Sequence, residues 1–327
     1  MIEWEGAPGL SDEEITARKK HFRILVCIDG SDECYQSLKY AARLGGGVDA
    51  DIVLLFVRPV DQGLRSGGLQ VRVARENMLK WGLELPGIKY LKKGFDILGE
   101  LGMMDGEDWS EHVVHTDVDG DPLGDNKTEY VNAKGKMVVL KLKVAPDIAT
   151  GILEQWELGP YDLILFGTSG HWKGPMRSFW DPAVAQKVAI HAPCSVLVAR
   201  DLDVGQGHLI CTDGSDKAME MVRRDGEMAS HYDCPVSLIS VALDVEAEDE
   251  AKANVDKAKK VLADMGIEVK ETIVKVGDPV DEIIEAGSDY SLIVVAESGK
   301  TGLRRFFIGS VAYKVMGNAH NSVMIVR

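Results

Sequence analysis

Apolar and polar positions alternate in blocks along the chain, and in its C-terminal part these blocks predict strands followed by helices. Strand-like runs occur at 209–212, 236–241, 268–276, 291–295 and 322–326, and all but 268–276 are largely apolar. Between the second and third runs, apolar residues recur at helical spacing and place on one face Val255, Ala258, Val261, Leu262 and Met265. Strands that alternate with helices predict a parallel, doubly wound α/β sheet with helices on both faces. Ligands of such sheets bind beyond the carboxyl ends of the strands.

The same blocks occur twice, which indicates a tandem duplication. An apolar run followed by Asp-Gly-Ser-Asp is found at 22–32 and again at 209–216. The first aspartates of the two motifs, Asp29 and Asp213, are 184 residues apart. YDLILFGTSG (161–170) is similar to YSLIVVAESG (290–299) at an offset of 129, and APCSVLVAR (192–200) is similar to AHNSVMIVR (319–327) at an offset of 127. Because the offset falls from 184 to 129, the first copy carries about 55 residues that the second lacks.

These repeats predict the domain organisation. We expect a leader at 1–20, a first domain at 21–200, a short polar linker at 201–207 and a second domain at 208–327. The extra residues of the first domain form an insertion at about 62–141. Its pattern predicts an amphipathic helix at 71–81, a second helical stretch at 91–98, and a β-hairpin made of two strand-like runs, 111–116 and 136–144.

An acidic loop at 117–125 lies between those two runs and has carboxylates at the alternate spacing that calcium loops favour. Proline occupies the position where calcium loops need glycine, and Glu129 comes one residue late. We therefore predict a hairpin loop with solvated charges. A transition-metal site made by His112, His115 and Asp117 is rejected, because residues three apart in a strand face opposite sides.

The stretch 296–310, AESGKTGLRRFFIGS, is the strongest candidate for chemistry. It follows an apolar strand and leads into a helix, with Gly309 and Ser310 at the expected helix start. Glycines let the backbone approach a ligand closely, and the free N–H groups of a helix start attract an anion. The pattern predicts a phosphate site. The alternative is that Gly299 and Gly302 only turn the chain and Ser310 only caps the helix.

The chain resembles the universal stress protein family in its tandem form, which has two domains in one chain. The resemblance rests on the order of strand, glycine loop and helix and on the repeated Asp-Gly-Ser-Asp. The family's nucleotide loop, G-x2-G-x9-G-[S/T], falls on Ala296, Gly299, Gly309 and Ser310. The resemblance implies an adenine nucleotide alpha hydrolase-like fold with five parallel strands per domain. It also implies that ATP or AMP, with or without Mg²⁺, binds the second domain, where the candidate residues are Asp213, Val236, Ala296, Gly299, Gly302, Gly309 and Ser310.

The first copy retains only part of this pattern, at Asp29, Ile52, Gly167 and Gly170. Pro182 and Ala183 stand opposite Gly309 and Ser310, so that an N–H group and a hydroxyl are lost, and Asp181 would repel phosphate. We predict a degenerate first-domain site. His171 and Trp172 leave open a different small molecule or a lipid there, although a packed loop tryptophan explains them equally well.

The charge, the N-terminal stretch and the cysteines limit the partners and the location that we expect. A net charge of −15 argues against partners such as nucleic acid or an anionic membrane. The acidic N-terminal stretch does not resemble a secretion signal, so we expect a cytoplasmic location. The cysteines form no CxxC pair, which favours buried, reduced thiols at Cys27, Cys34, Cys194, Cys211 and Cys234. We find no motif for a catalytic site or a metal site.

These observations predict a nucleotide-responsive regulator or chaperone-like adaptor that acts on an unidentified protein partner. Any ATP hydrolysis should be slow, because no base for the attacking water is apparent. In the family the last strands commonly pair between domains, which predicts pairing of 195–200 with 322–327 in an intramolecular pseudo-dimer. A further homodimer is left open. The competing hypothesis is an interaction scaffold that binds no nucleotide and uses the insertion as its recognition surface.

Overall fold

The computed structural model describes residues 21–48, 50–60, 86–105, 108–118, 121–155, 161–167, 182–200, 206–230, 234–297 and 309–327. It divides into two compact units, Met1–Ile164 and Leu165–Arg327. Within the described ranges, no helix is both long enough and apolar enough to cross a membrane.

Twelve strands are present in the described residues. They are β1 (Arg23–Cys27), β2 (Asp51–Pro59), β3 (Trp109–Val118), β4 (Asp121–Asn132), β5 (Met137–Ala145), β6 (Leu163–Gly167), β7 (Ser195–Ala199), β8 (His208–Cys211), β9 (Val236–Ala242), β10 (Val269–Val276), β11 (Leu292–Ala296) and β12 (Ser322–Val326).

The α-helices of the same ranges are α1 (Asp32–Val48), α2 (Pro86–Glu100), α3 (Ile148–Leu153), α4 (Pro182–His191), α5 (Asp216–Ser230), α6 (Glu248–Asp264), α7 (Pro279–Gly287) and α8 (Ser310–Asn318). A short 3-10 helix, Val245–Ala247, precedes α6.

The second copy forms the predicted parallel sheet, with strand order β10-β9-β8-β11-β12. Every neighbouring pair in this order is parallel. The central strands β8, β11 and β12 consist largely of buried aliphatic residues, as expected when helices cover both faces of a sheet. Helix α6 buries Ala251, Val255, Ala258 and Leu262 as predicted, whereas Met265 follows the helix and is 39% exposed. The five-stranded prediction is confirmed for this copy.

In the first unit the strand order is β1-β2-β5-β4-β3. Strands β1, β2 and β5 are parallel, whereas β4 and β3 continue the sheet in the antiparallel sense. The run 136–144, which we predicted to be one arm of an inserted hairpin, is therefore β5, a core strand that pairs with β2. An insertion ending near 141 would cut this strand, so the structure favours an end before Met137.

Helix α2 is the crossover helix between β2 and β5, because it packs on both strands as α6 packs on β9 and β10. The predicted helical stretch 91–98 is confirmed within it, and Leu91 and Leu98 are buried. The inserted hairpin is made of β3 and β4. The helix predicted at 71–81 lies outside the described residues.

The acidic loop differs from its prediction, because most of it belongs to β4 and two of its carboxylates are buried. Asp121 and Asp125 are 3% and 5% exposed. Arg58 Nη1 and Nη2 donate to the two carboxylate oxygens of Asp121 at 2.6 and 2.8 Å. Lys143 Nζ donates to Asp125 Oδ2 at 2.9 Å. The prediction of solvated charges is wrong at these two positions, since long-range ion pairs join the hairpin to the core strands.

The last strands of the two copies pair as predicted. Strands β7 and β12, both in the second unit, are antiparallel neighbours with Leu197 opposite Met324. Their residues are almost entirely buried. The pairing covers two apolar strands that would otherwise be exposed edges. It also explains why the chain divides at Ile164 rather than at the linker 201–207, whose role as a domain boundary stays a prediction.

Two arginines secure this strand pair reciprocally. The guanidinium of Arg200, which follows β7, donates to Asn321 O at 2.8 Å and to Met316 O near the end of α8. The guanidinium of Arg327, which follows β12, donates to Cys194 O at 3.3 Å and to Ala189 O near the end of α4. Each copy thus supplies a cation to the carbonyl end of the other copy's last helix, where the helix dipole favours it.

Candidate functional site

The Asp-Gly-Ser-Asp turn of the second copy lies at the carboxyl end of β8. Asp213 is exposed, and its Oδ1 accepts a hydrogen bond from Ser215 N at 3.0 Å. Gly214 has φ +75°, a left-handed conformation that favours glycine, and a Cβ there would collide with Asn254 Oδ1. This turn holds the Asp213 carboxylate at the edge where ligands of a doubly wound sheet bind.

The start of the glycine loop reaches the same edge. Ala296 ends β11, and the next residue, Glu297, has its Oε2 3.6 Å from Lys217 Nζ in the first turn of α5. Its Oε1 lies 3.7 Å from Arg327 Nε. Because α5 follows the Asp213 turn directly, this ion pair brings Ala296 and Asp213 to one region. Gly299 and Gly302 lie outside the described residues.

Helix α8 begins at Ser310, as predicted, with Gly309 as its N-cap. Gly309 has φ −63° and ψ 149°, an extended conformation that other residues also adopt, so backbone freedom is not what requires glycine here. Among the described residues, no side chain accepts a hydrogen bond at this cap, and the first turn contains no acidic residue. Ser310 is exposed. The start of this helix carries the positive end of the helix dipole and backbone N–H groups, which suit an anion.

Val236 does not join these residues. It is the first residue of β9 and pairs with His208, the first residue of β8, so it lies at the amino end of the sheet. The level of Asp213 is roughly 17 Å away, five residues further along β9. Cys211 pairs with Ile239, and continuing this register by two residues places half-buried Val241 level with Asp213. The direction of the predicted strand would have favoured Val241 over Val236.

Comparison with known proteins identifies the family. Residues 208–327 match the universal stress protein family profile. Over 137 residues the chain is 31% identical to a universal stress protein of Methanocaldococcus jannaschii, covering 36% of this chain and 80% of that protein. The chain belongs to the universal stress protein family. It is also 26% identical over 144 residues to universal stress protein YxiE of Bacillus subtilis, covering 36% of this chain and 97% of that protein.

The fold likeness extends beyond one universal stress protein domain. A solved universal stress protein from Archaeoglobus fulgidus aligns with 93% of this chain and 96% of its own, with a TM-score of 0.58 at 15% identity. At this identity the likeness concerns the fold alone, an α/β architecture with a mostly parallel sheet.

The Asp-Gly-Ser-Asp turn of the first copy is built differently. Asp29 is only 8% exposed, and its Oδ1 accepts from Ser31 N at 2.8 Å. Gly30 has φ +88°, and a Cβ there would lie 2.7 Å from the Tyr90 ring of α2. Tyr90 thus takes the place that Asn254 has beside Gly214. An aromatic ring covers this turn, and its carboxylate is less accessible than that of Asp213.

Each of the other described first-copy residues lies at or near an end of its own strand or helix. Ile52 pairs with Ile24 near the start of β1, so it lies at the amino end, as Val236 does. Gly167 ends β6, whereas Gly170 lies outside the described residues. Helix α4 begins at Pro182, so the position equivalent to Gly309 has no N–H group to offer an anion.

The cysteines beside the two turns have unreactive thiols; Cys27 and Cys34 are buried as expected, whereas Cys211 is half-buried, as is Cys234 elsewhere in the second domain. Burial raises the pKa of Cys34 to about 12 and also raises the pKa of Cys27 and of Cys211. Because the thiolate is the nucleophilic form, these cysteines are inert at neutral pH. In the residues that the structure describes, no group of three or more His, Cys, Asp or Glu side chains is arranged to hold a metal ion.

Proposed function

We propose that the second universal stress protein domain binds one adenine nucleotide, ATP or AMP, at the carboxyl edge of its sheet. Asp213 and Val241 contact the nucleoside in this proposal. The N–H groups at Gly309 and Ser310 bind phosphate, and Ala296 begins the loop that covers it. Nucleotide occupancy is then read by a protein partner in the cytoplasm, so that the chain acts as a regulator or adaptor.

The main support for this proposal comes from the first turn of α8. In the same domain, the Asp278 carboxylate caps α7 by accepting from Val280 N at 2.8 Å. Helix α6 also lacks a side-chain cap, but its first turn contains three acidic residues, which would repel a phosphate. Among the described residues, helix α8 has neither a side-chain cap nor an acid in its first turn. It follows the loop that begins after Glu297, whose carboxylate lies 3.6 Å from Lys217 Nζ in the helix that follows the Asp213 turn.

The first domain is proposed to bind no ATP. The first copy lacks two features of the second, because Asp29 is only 8% exposed and α4 opens with proline, which has no backbone N–H group. Hydrolysis in the second domain is expected to be slow. Asp213 Oδ1 accepts from Ser215 N, and Glu297 Oε2 lies 3.6 Å from Lys217 Nζ, so both carboxylates already have partners that compete with the role of a general base.

Calorimetric titration with ATP, ADP and AMP, with and without Mg²⁺, tests the proposal in the parent chain and in Gly309→Asp. Aspartate is a favourable N-cap, so the helix should be preserved. Its charge about 5 Å from a phosphate, at an effective dielectric near 20, costs roughly 3 kcal/mol, which is more than a hundredfold in affinity.

The matched control is Ala183→Asp, which adds the same charge to the first turn of α4 and should leave affinity unchanged. We expect saturable binding of one nucleotide per chain in the parent and in this control. Absence of saturable binding in the parent, or equal affinity in Gly309→Asp, would reject the proposal.

A further inference from the structure

Strand β3 is an open edge of the first unit's sheet. It lies last in the strand order, and within the described part of the chain it pairs only with β4. Proteins usually protect such an edge with lysine, proline or a bulge. Strand β10, which ends the order in the second unit, contains Lys270 and Lys275. The ten residues of β3 contain no lysine, arginine or proline, and its register irregularity is confined to the end, at 116–118.

The centre of β3 is also apolar and exposed. Val113 is 73% exposed and Val114 is 41% exposed. Because successive side chains of a strand face opposite sides, these exposures leave apolar surface on both faces at the middle of the edge. Two adjacent exposed valines on a strand that has one strand partner in the described part of the chain make strand addition the expected mode of association.

The sequence of β3 favours a second copy of itself as the added strand. When two copies of β3 pair in the antiparallel sense, a two-fold axis perpendicular to the sheet relates them. Residues that face each other across the pair have side chains on the same side of the sheet, so they are an even number of positions apart. The two-fold axis therefore passes through a residue and not between two residues. An axis at Val113 places Val113 against the partner's Val113 and Glu111 against the partner's His115. An axis at Val114 would place Val113 against the partner's His115 and would pair the two less exposed valines, so it would bury less apolar surface at the centre of the pair.

We propose that two copies of this chain associate through antiparallel pairing of β3 with β3, centred on Val113. The dimer is weak and concentration-dependent, because one strand pair buries less surface than a standard stable interface and because each chain carries a net charge of −15. Moderate salt should strengthen it by screening that repulsion. The proposal does not depend on nucleotide binding.

Sedimentation velocity of the full chain over a concentration series tests the association, with Val113→Lys and Thr116→Lys compared. Val113→Lys places two ammonium groups together on the two-fold axis and should abolish the dimer. Thr116→Lys adds the same charge near the end of the strand and should weaken it much less. Both positions are exposed, so thermal melting should be unchanged.

Thiol cross-linking with a short bismaleimide tests the register. Paired residues have Cβ atoms about 5 Å apart, so Val113→Cys should give covalent dimers above the level of the parent chain. In the same register Thr116 faces the partner's Ser110, and two Thr116→Cys thiols would be roughly 20 Å apart. A chain that stays monomeric at all concentrations, a dimer that survives Val113→Lys, or equal cross-linking of the two cysteine variants would overturn the proposal.

Discussion

Replacing Asp121 with Asn removes the negative charge from the ion pair that joins β4 to β2. The pair is bidentate, with Arg58 nitrogens 2.6 and 2.8 Å from the two carboxylate oxygens, and its side chains are 9% and 3% exposed. Asparagine has nearly the same volume and keeps one acceptor oxygen. The substitution therefore changes charge with little change in packing and leaves the Arg58 guanidinium buried without its counter-charge.

The expected loss is about 3–5 kcal/mol in the free energy of unfolding, because removing one partner of a buried pair leaves an uncompensated charge. In a unit of this size that corresponds to a fall in Tm of roughly 10 °C. The exposed pair of Lys93 and Asp32, 3.8 Å apart with side chains 54% and 96% exposed, is the control. Lys93→Met should cost no more than about 1 kcal/mol, although Lys93 Nζ also lies 4.1 Å from the centroid of the Tyr35 ring.

Urea denaturation followed by circular dichroism measures both losses. The double variant Arg58→Met, Asp121→Leu should recover most of the stability lost in Asp121→Asn, since apolar replacement of a buried pair is often neutral or better. A cost below 1 kcal/mol for Asp121→Asn, or a double variant less stable than the single one, would refute the assignment of Asp121 to a buried ion pair.

Three further predictions concern the second unit. Burial alone would lower the pKa of His208, but the Asp225 carboxylate 3.0 Å away outweighs it and raises that pKa to about 10. The contribution of this pair to the free energy of unfolding is complete below about pH 6.5 and is lost as pH rises through 10, by up to about 1.4 kcal/mol per pH unit. The urea midpoint of the parent should therefore fall over this range, and that of His208→Gln should not. Arg200→Met removes a buried guanidinium that donates to two backbone carbonyls, and calorimetry should show a loss of about 2–4 kcal/mol; an unchanged Tm would contradict its capping role. Gly214→Ala should destabilise by about 1–2 kcal/mol because of its positive φ, whereas Gly317→Ala, with open space around the added Cβ, should be neutral or stabilising in the same melts.

The fold of the second copy could be predicted because its four inner strands are local apolar runs, the edge strand β10 is rich in β-branched residues, and the helices between them show helical spacing. Strand β5 could not be assigned correctly from its sequence. The run 136–144 has the pattern of either a hairpin arm or a core strand, and only its pairing with β2 decides between them. The partner of Asp121 could not be predicted either, because Arg58 is 63 residues away and nothing local indicates that the two side chains meet.

The candidate site was predicted in part. The local alternation of apolar and polar residues shows where a strand ends and where a helix begins. Asp213 and Ala296 lie at strand ends, and Gly309 and Ser310 lie at a helix start. Val236 was misplaced because an apolar run does not by itself show which of its ends faces a ligand. Strand direction supplies that information, and it favours Val241.

Native mass spectrometry of the intact chain titrated with AMP or ATP tests the central claim most directly, because it counts bound nucleotides. We predict one bound nucleotide per chain, lost in Asp213→Ala and retained in the equivalent first-domain variant Asp29→Ala. No bound nucleotide at saturating concentration, or loss of binding in Asp29→Ala with retention in Asp213→Ala, would contradict the account.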